Sequence, residues 1–381
     1  MTKVSVILTS YNHAKYLPAS IESVLNQTFQ DFELIIVDDA STDESWSIIQ
    51  RYTDPRIQTC QNSSNEYTVY GINKAISERA SGEYIAIHHS DDMWDPSKLE
   101  KQIAYLDHHP EVGAVFTGLT PVNEAGGSFT DRSRFNFGLF DQPNRSRYEW
   151  LYYFFRYGNA LCHPSVLIRK ICYQECGLYK NGMVQLPDFD MWVRLCLKFE
   201  IHVMAEKLVL FRVRENMANS SSPTIENRSR SSFEFLQILD NYCSLTSFEE
   251  IVKVFPVAQE YYSPQGCDPL FVLAMVALET KAHIFTALFG LNLLFSALND
   301  PLRAEKIKEL YDFDTLEFKR LSGKYDIFSS NLRIELAEKE QALHDLNARF
   351  HALEAMTNSR AWKFTLILRK ILQRLIPRAR H

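Results

Sequence analysis

The sequence predicts an α/β fold: a mostly parallel sheet with helices on both faces, followed by an all-α C-terminal region. Three observations carry this reading. Through residue 122, short β-rich apolar runs alternate with segments of helical period, the order that yields a parallel sheet covered by crossover helices. The strand candidates are apolar almost without interruption, as expected when both sheet faces are covered. From Phe233 to Phe328 the apolar residues recur only at helical spacing.

Each element has its own signal. "VSVILT" (4–9) is the first strand, and "AKYLPASIESVLNQ" places Leu17, Ile21, Val24 and Leu25 on one helical face. "FELIIVDD" (32–39) is the second strand, and "STDESWSIIQRY" a helix with Ser41 or Thr42 as its cap. "RIQTC" (56–60) precedes a helix in "VYGINKAISERA". "EYIAIH" (83–88) precedes one in "PSKLEKQIAYLDHH", which opens at Pro96. "VGAVFTGLTPV" (112–122) is the fifth strand, and residues 123–160 read as an insertion or long loop. "HPSVLIRK" (163–170) resumes as a strand, "DFDMWVRLCLKF" (188–199) is helical, and "IHVMAEKLVLFRVRE" (201–215) reads as two short strands. The polar run "NMANSSSPTIENRSRSS" ends the first domain, giving 1–222 as the α/β domain and 223–328 as a helical domain.

Beyond it, Leu332, Leu336, Leu343, Leu346, Phe350 and Leu353 follow an a/d spacing interrupted by Lys339, so 329–356 reads as a short coiled coil and hints at a homodimer. The tail, 357–381, is a basic amphipathic helix. Phe364, Leu368, Ile371, Leu372 and Leu375 share one face, Lys363, Lys370 and Arg374 another, and Trp362 lies near its start. That pattern suits an anionic membrane surface, or else a docking helix with a solvated basic face.

Composition narrows the function. The 381 residues carry 41 Lys and Arg against 47 Asp and Glu, a net charge of −6, which argues against the whole chain being a nucleic-acid binder. Seven scattered cysteines without a CxxC pair argue against a disulfide framework and a structural zinc site and fit a reducing cytosol. No signal-peptide pattern precedes "KVSVILTSYN". The longest uncharged stretch, from Ile284, is too short to span a bilayer and reads as a buried helix.

Chemistry is expected at the carboxyl ends of the strands. Three polar clusters fall there: "TSYN" (9–12), "DDAST" (38–42) and "HSDD" (89–92). An aromatic and a hydroxyl can stack on and bond a base, a carboxylate can accept from a base N–H or a ribose hydroxyl, and an acid pair can hold a ribose and a hard divalent cation against a diphosphate. No GxGxxG follows the first strand and no GxxxxGK[ST] occurs, so phosphate charge must be met by a metal and side chains.

These segments resemble a known family. "VSVILTSYNHAKYLPASIESVLNQTFQDFELIIVDDASTDES" looks like the opening of glycosyltransferase family 2, inverting enzymes of the GT-A fold, and "SGEYIAIHHSDDMWDPSKLEKQ" resembles the segment with that family's DxD element. The resemblance extends to about residue 220. It implies base contacts from Thr9 and Tyr11, base reading by Asp39, a ribose-side acid at Asp91 and a ligand for Mg²⁺ or Mn²⁺ at Asp92. "LPDFDMWVRL" resembles the family's "EDYDLWLRL", which makes Asp188 the catalytic base with Asp190 as its rival, and "FRVREN" resembles "YRVHEN", which puts Arg212 and Arg214 on the diphosphate or acceptor side. His163 is expected to shape the acceptor side, and Trp94 and Trp192 to be packing residues. The sequence departs from the family at His89, where Asp is common, at Pro187, where Glu is usual, and at Arg214, where some members have His; the helix at 69–80 also lacks an Arg often found there, carrying Asn73 and Lys74 instead.

The implied reaction is a single displacement from a nucleotide-diphosphate sugar, UDP favoured, onto an acceptor hydroxyl. With the basic tail, the acceptor is expected to be a lipid-linked glycan at the cytoplasmic face of a membrane. The alternatives are a catalytically silent nucleotide-sugar-binding scaffold acting through its coiled coil, and a sugar-phosphate nucleotidyl transferase, whose Gly-rich loop is not visible.

Overall fold

The structure is a computed structural model that describes residues 2–215, 219, 222–280, 282–358 and 360–375. It contains two compact units, Met1–Phe318 and Lys319–His381.

The first unit is built on one eight-stranded sheet in the order β3-β2-β1-β4-β7-β6-β8-β5. β1 (Val4–Ser10), β2 (Phe32–Asp38), β3 (Ile57–Gln61) and β4 (Tyr84–His89) are mutually parallel. α1 (Leu17–Leu25), α2 (Ser45–Ile49) and α3 (Tyr67–Glu78) connect them. Side chains of β1 alternate between faces. Val4, Val6 and Leu8 join Leu17, Ile21 and Val24 of α1 in one core layer, while Ile7 joins Val69 and Ile72 of α3 in the other. Both faces are therefore dry, which is why these strands read as uninterrupted apolar runs.

The second half of the sheet is mixed. After β4 come β5 (Met93–Trp94), α4 (Lys98–His108), β6 (Val112–Val122), α5 (Arg147–Tyr157), β7 (Leu167–Arg169), α6 (Lys170–Cys176), α7 (Pro187–Cys196) and β8 (Glu200–Arg212). β7 is antiparallel to both β4 and β6, β6 is parallel to β8, and β5 is antiparallel to β8.

Several local expectations change here. Residues 163–165 form a 3₁₀ turn before the short β7, because Pro164 offers no N–H to a ladder. Residues 200–212 form one strand, and the break expected within it is a register shift opposite Gly118. The supposed long loop contains α5, whose Ser146 and Glu149 form a capping box and whose Trp150, Leu151, Phe154 and Phe155 are buried. Neither Ser41 nor Thr42 caps α2, which begins after Glu44; Ser41 Oγ instead accepts the Asn12 N–H at 2.9 Å.

Helices α8 (Ile225–Leu239), α9 (Phe248–Val254), α10 (Pro269–Thr280) and α11 (Ile284–Leu298) extend the core layer that already holds α3, α5 and α7. α11 is the stretch expected as a core helix. It lies close to α10 at Gly290, where a Cβ would stand 2.7 Å from the Ala274 carbonyl oxygen. α12 (Pro301–Tyr311) and α13 (Thr315–Ser322) follow.

In the second unit, α14 (Ser330–Asn358) is one continuous helix on which Leu332, Leu336, Leu343, Leu346, Phe350 and Leu353 are exposed. On α15 (Arg360–Leu375), Trp362, Phe364, Leu368, Ile371 and Leu372 are exposed. Among the described residues no helix is long and apolar enough to cross a membrane.

Candidate active site

Parallel register brings the strand ends together. Thr9 pairs with Val37 of β2 and with His89 of β4, and Ser10 pairs with Asp38. The three polar clusters thus emerge on one edge of the sheet, at a cleft of about 580 Å³. Thr9, Tyr11, Asp39, Asp91 and Asp92 line it, joined from the second half of the sheet by His163, Asp188 and Arg214. Arg212 is not among the lining residues.

The first two loops are fixed to each other. Asn12, at φ 52°, accepts the Thr42 N–H at 2.8 Å through Oδ1. Asp38 is fully buried; its Oδ1 accepts from Ser41 N and the Gln61 side-chain amide, and its Oδ2 is buried without a hydrogen bond. Asp39 uses Oδ1 to accept from Asn62 Nδ2 at 2.8 Å and from Glu66 N at 2.9 Å. Tyr11 is 42% exposed at the rim. Tyr67, also on the lining, is held at φ 64°, an uncommon conformation for an aromatic residue.

The acid pair sits in the turn between β4 and β5. β5 pairs with β8 through Met93 and Leu210, which brings the Asp92 side chain within reach of the Arg212 backbone. Asp92 is 1% exposed; its Oδ1 accepts the Arg212 N–H at 2.8 Å, and its Oδ2 is buried without a hydrogen bond, 3.9 Å from His89 Nδ1. Burial, and then the neighbouring Asp91, push its pKa well above the usual carboxylate range. Such an orphaned oxygen in a polar cleft suits a hard cation. The Arg212 guanidinium, expected at the diphosphate or acceptor, lies beneath the turn and donates to the carbonyl oxygens of Asp91, Asn123 and Glu124. Its role is to hold the turn.

Arg214 faces the cleft. Its Nη1 donates to His13 Nε2 at 2.8 Å, and His13 Nδ1 lies 2.8 Å from Ser90 Oγ. Burial lowers the His13 pKa, and an acceptor Nε2 requires the neutral ring with its proton on Nδ1. His89 Nε2 lies 3.3 Å from His163 Nδ1, and His163 Nε2 lies 2.9 Å from Tyr179 Oη. Burial lowers both pKa values, which favours the uncharged rings. His88 is fully buried against Trp94 and Ser20, outside the cleft. Trp94 and Trp192 are buried packing residues.

Two nearby carboxylates on α7 have different surroundings. Asp188 accepts from Asn159 Nδ2 at 3.0 Å and from Phe189 N at 2.8 Å, and burial raises its pKa to about 6. Asp190 is fully buried and saturated: Arg194 Nε at 2.7 Å, Lys180 Nζ at 2.8 Å and Asn241 Nδ2 at 2.9 Å surround it. Asp190 ties α7 to its neighbours, whereas Asp188 lines the cleft. Sequence reasoning named both acids but had no sign of these partners, nor of Asn159.

Residues 5–171 match the family described as Glycosyl transferase family 2. The UDP-Glc:alpha-D-GlcNAc-diphosphoundecaprenol beta-1,3-glucosyltransferase WfaP of Escherichia coli is 32% identical over 198 residues, covering 52% of this chain and 72% of that protein. The O-antigen biosynthesis glycosyltransferase WbnJ of Escherichia coli is 28% identical over 227 residues, covering 58% and 83%. Among solved structures, residues 1–349 of S. aureus TarS in complex with UDP superpose with a TM-score of 0.52 at 17% identity, covering 84% of this chain and 92% of that one. The architecture is therefore that of the GT-A transferases. The chain belongs to glycosyl transferase family 2, and it is a glycosyltransferase.

Proposed function

We propose that the chain transfers a sugar, with inversion, from a nucleoside-diphosphate sugar to an acceptor hydroxyl in the assembly of a cell-surface polysaccharide or glycolipid. The carrying observation is that Asp188, with a pKa near 6, lines the same cleft as Asp39, Asp91 and Asp92. A UDP-sugar is the favoured donor, in keeping with WfaP, named for UDP-Glc, and TarS, solved with UDP. In this reading Tyr11 and Thr9 contact the base, Asp39 reads it through Oδ2, and Asp91 takes the ribose. Residues 1–222 carry the transfer chemistry and 223–328 form the helical region behind it.

Asp188 takes the proton of the acceptor hydroxyl as general base. The freed oxygen forms a bond to the anomeric carbon on the face opposite the diphosphate, and the nucleoside diphosphate leaves with the bonding pair. Arg214 supplies positive charge on the leaving-group side, with His163 toward the acceptor. Asp92 would hold a Mg²⁺ or Mn²⁺ ion, which supplies charge neutralisation to the departing diphosphate. Among the described residues no three His, Cys, Asp or Glu side chains form a ready-made metal cluster, and Asp92 is the residue that would hold the ion.

The acceptor proposed is lipid-linked, reached from the cytoplasmic face by a chain held peripherally on the membrane. The exposed apolar residues of α15 beside Lys363 and Lys370 support this, as does the diphosphoundecaprenol in the name of WfaP. The exposed seam of α14 supports pairing with a second copy.

The test is nucleoside-diphosphate release from a panel of UDP- and GDP-sugars with and without Mn²⁺, with Asp188→Asn as control. Metal-dependent release lost in that variant is expected; an active Asp188→Asn overturns the base. Co-sedimentation with phosphatidylglycerol vesicles, lost when the chain ends at residue 358, tests the tail; undiminished binding overturns it. Light scattering of Leu343→Asp/Leu346→Asp tests the dimer: a monomer from a dimeric parent is expected, and a monomeric parent overturns it.

A further inference from the structure

The loop leading to Asp188 is held by a carboxylate from another part of the chain. Glu234, on α8, is 2% exposed and accepts from three consecutive backbone N–H groups: Val184 at 2.8 Å, Gln185 at 2.9 Å and Leu186 at 2.6 Å. Leu186 is the N-cap of α7, and Pro187 and Asp188 are its first two residues. A helix start exposes unpaired N–H groups and favours an anion. Here α7 has no side-chain cap of its own: Leu186 has no polar group and Pro187 has no donor. Pro187 stands where the family resemblance places a Glu, and the carboxylate comes instead from a residue 48 positions away from Leu186. Val184 and Gln185 themselves line the cleft.

We propose that Glu234 is a positioning residue for sugar transfer: by fixing the backbone of residues 184–186 it sets the place of Asp188, which makes the helical region part of the catalytic apparatus. This rests on the reading of Asp188 as the base. The charge of Glu234 also adds to burial in raising the proton affinity of Asp188, against hydrogen bonds from Phe189 and Asn159 that lower it. The titratable groups coupled to Asp188 from the other packed segments are Cys162 and Tyr179, both kept neutral by burial.

The experiment uses the full chain as parent, Glu234→Gln, Glu234→Asp and Asp188→Asn. The Asp188 carboxyl is followed by ¹³C NMR, its resonance assigned by loss in Asp188→Asn, and hydrogen exchange of residues 184–186 is read alongside. In Glu234→Gln the Asp188 midpoint is expected to move down and the three amides to exchange about tenfold faster. kcat for the donor found in the panel falls about tenfold or more, with donor KM within about twofold. Glu234→Asp, which keeps the charge, restores most of the midpoint and serves as the deciding variant should Glu234→Gln not fold. Unchanged midpoint and exchange in Glu234→Gln, or loss of turnover that follows loss of folded protein alone, overturns the proposal. An active Asp188→Asn sinks the base reading instead, so the two failures are distinct.

Discussion

Asp92 accepts the backbone N–H of Arg212 through Oδ1 at 2.8 Å, while its Oδ2 lies buried without a hydrogen bond. The folded chain holds a proton on the Asp92 carboxyl more tightly than the unfolded chain does, because burial and Asp91 penalise the charge. Stability from this group is therefore full below the unfolded-state pKa and lost as pH rises through the folded value. At pH 7 without metal, Asp92→Asn should melt at or above the parent temperature. The same variant should lose the stabilisation that Mn²⁺ with UDP gives the parent. Thermal scans in EDTA and in Mn²⁺ with UDP check both; a destabilised apo variant that keeps the ligand shift contradicts the metal assignment.

Asp188, with its pKa near 6, should impose an acid limb on turnover. kcat is expected to rise about tenfold per pH unit below pH 6 and to level off above it. Asp188→Asn should lower kcat by about 10²–10⁴-fold with little change in donor KM. A pH series of nucleotide release measures both effects.

Asp190 should behave differently. Removing it leaves Arg194, whose side chain is only 13% exposed, without its anion. Asp190→Ala is expected to cost about 3–5 kcal/mol in urea unfolding. Pairing it with Arg194→Met in a double-mutant cycle should recover part of that loss.

Lys98 is fully buried. Its Nζ donates to Gln102 Oε1 at 2.8 Å and sits 3.9 Å from the centre of the Trp94 ring. Burial pushes its pKa well down, so its ionisation opposes folding, and stability falls as pH drops from the unfolded-chain value toward the folded one. Lys98→Met should raise stability at pH 7 by about 1–4 kcal/mol, with a smaller gain at pH 10. Urea titrations at the two pH values decide it.

Much of this molecule could be read from its letters. β1, β2 and β4 are buried on both faces, so their sequences are apolar throughout and the polar residues that end them mark the cleft. The direction of β7 was not legible, because strand pairing lies in hydrogen bonds between distant segments. α5 was missed although Ser146 and Glu149 spell a capping box ahead of an aromatic run, a signal present in the sequence. Asp188 and Asp190 could not be ranked by geometry from their spacing, since what separates them is Arg194, Lys180, Asn241 and Asn159. Arg212 and Arg214 lie two apart on one strand end, yet one is spent on carbonyl oxygens under the turn and the other opens onto the cleft. Glu234 has no local signature at all.

The anchoring of residues 184–186 bears on how such enzymes can be recombined. A hybrid that joins the N-terminal half of this chain to the C-terminal half of a relative must also import an acid able to reach the start of α7. Without it, the graft is expected to recognise nucleotide while losing turnover. Exchange of acceptor preference between lineages would then favour junctions beyond α8 over the polar stretch near residue 222, however inviting that stretch looks as a place to cut.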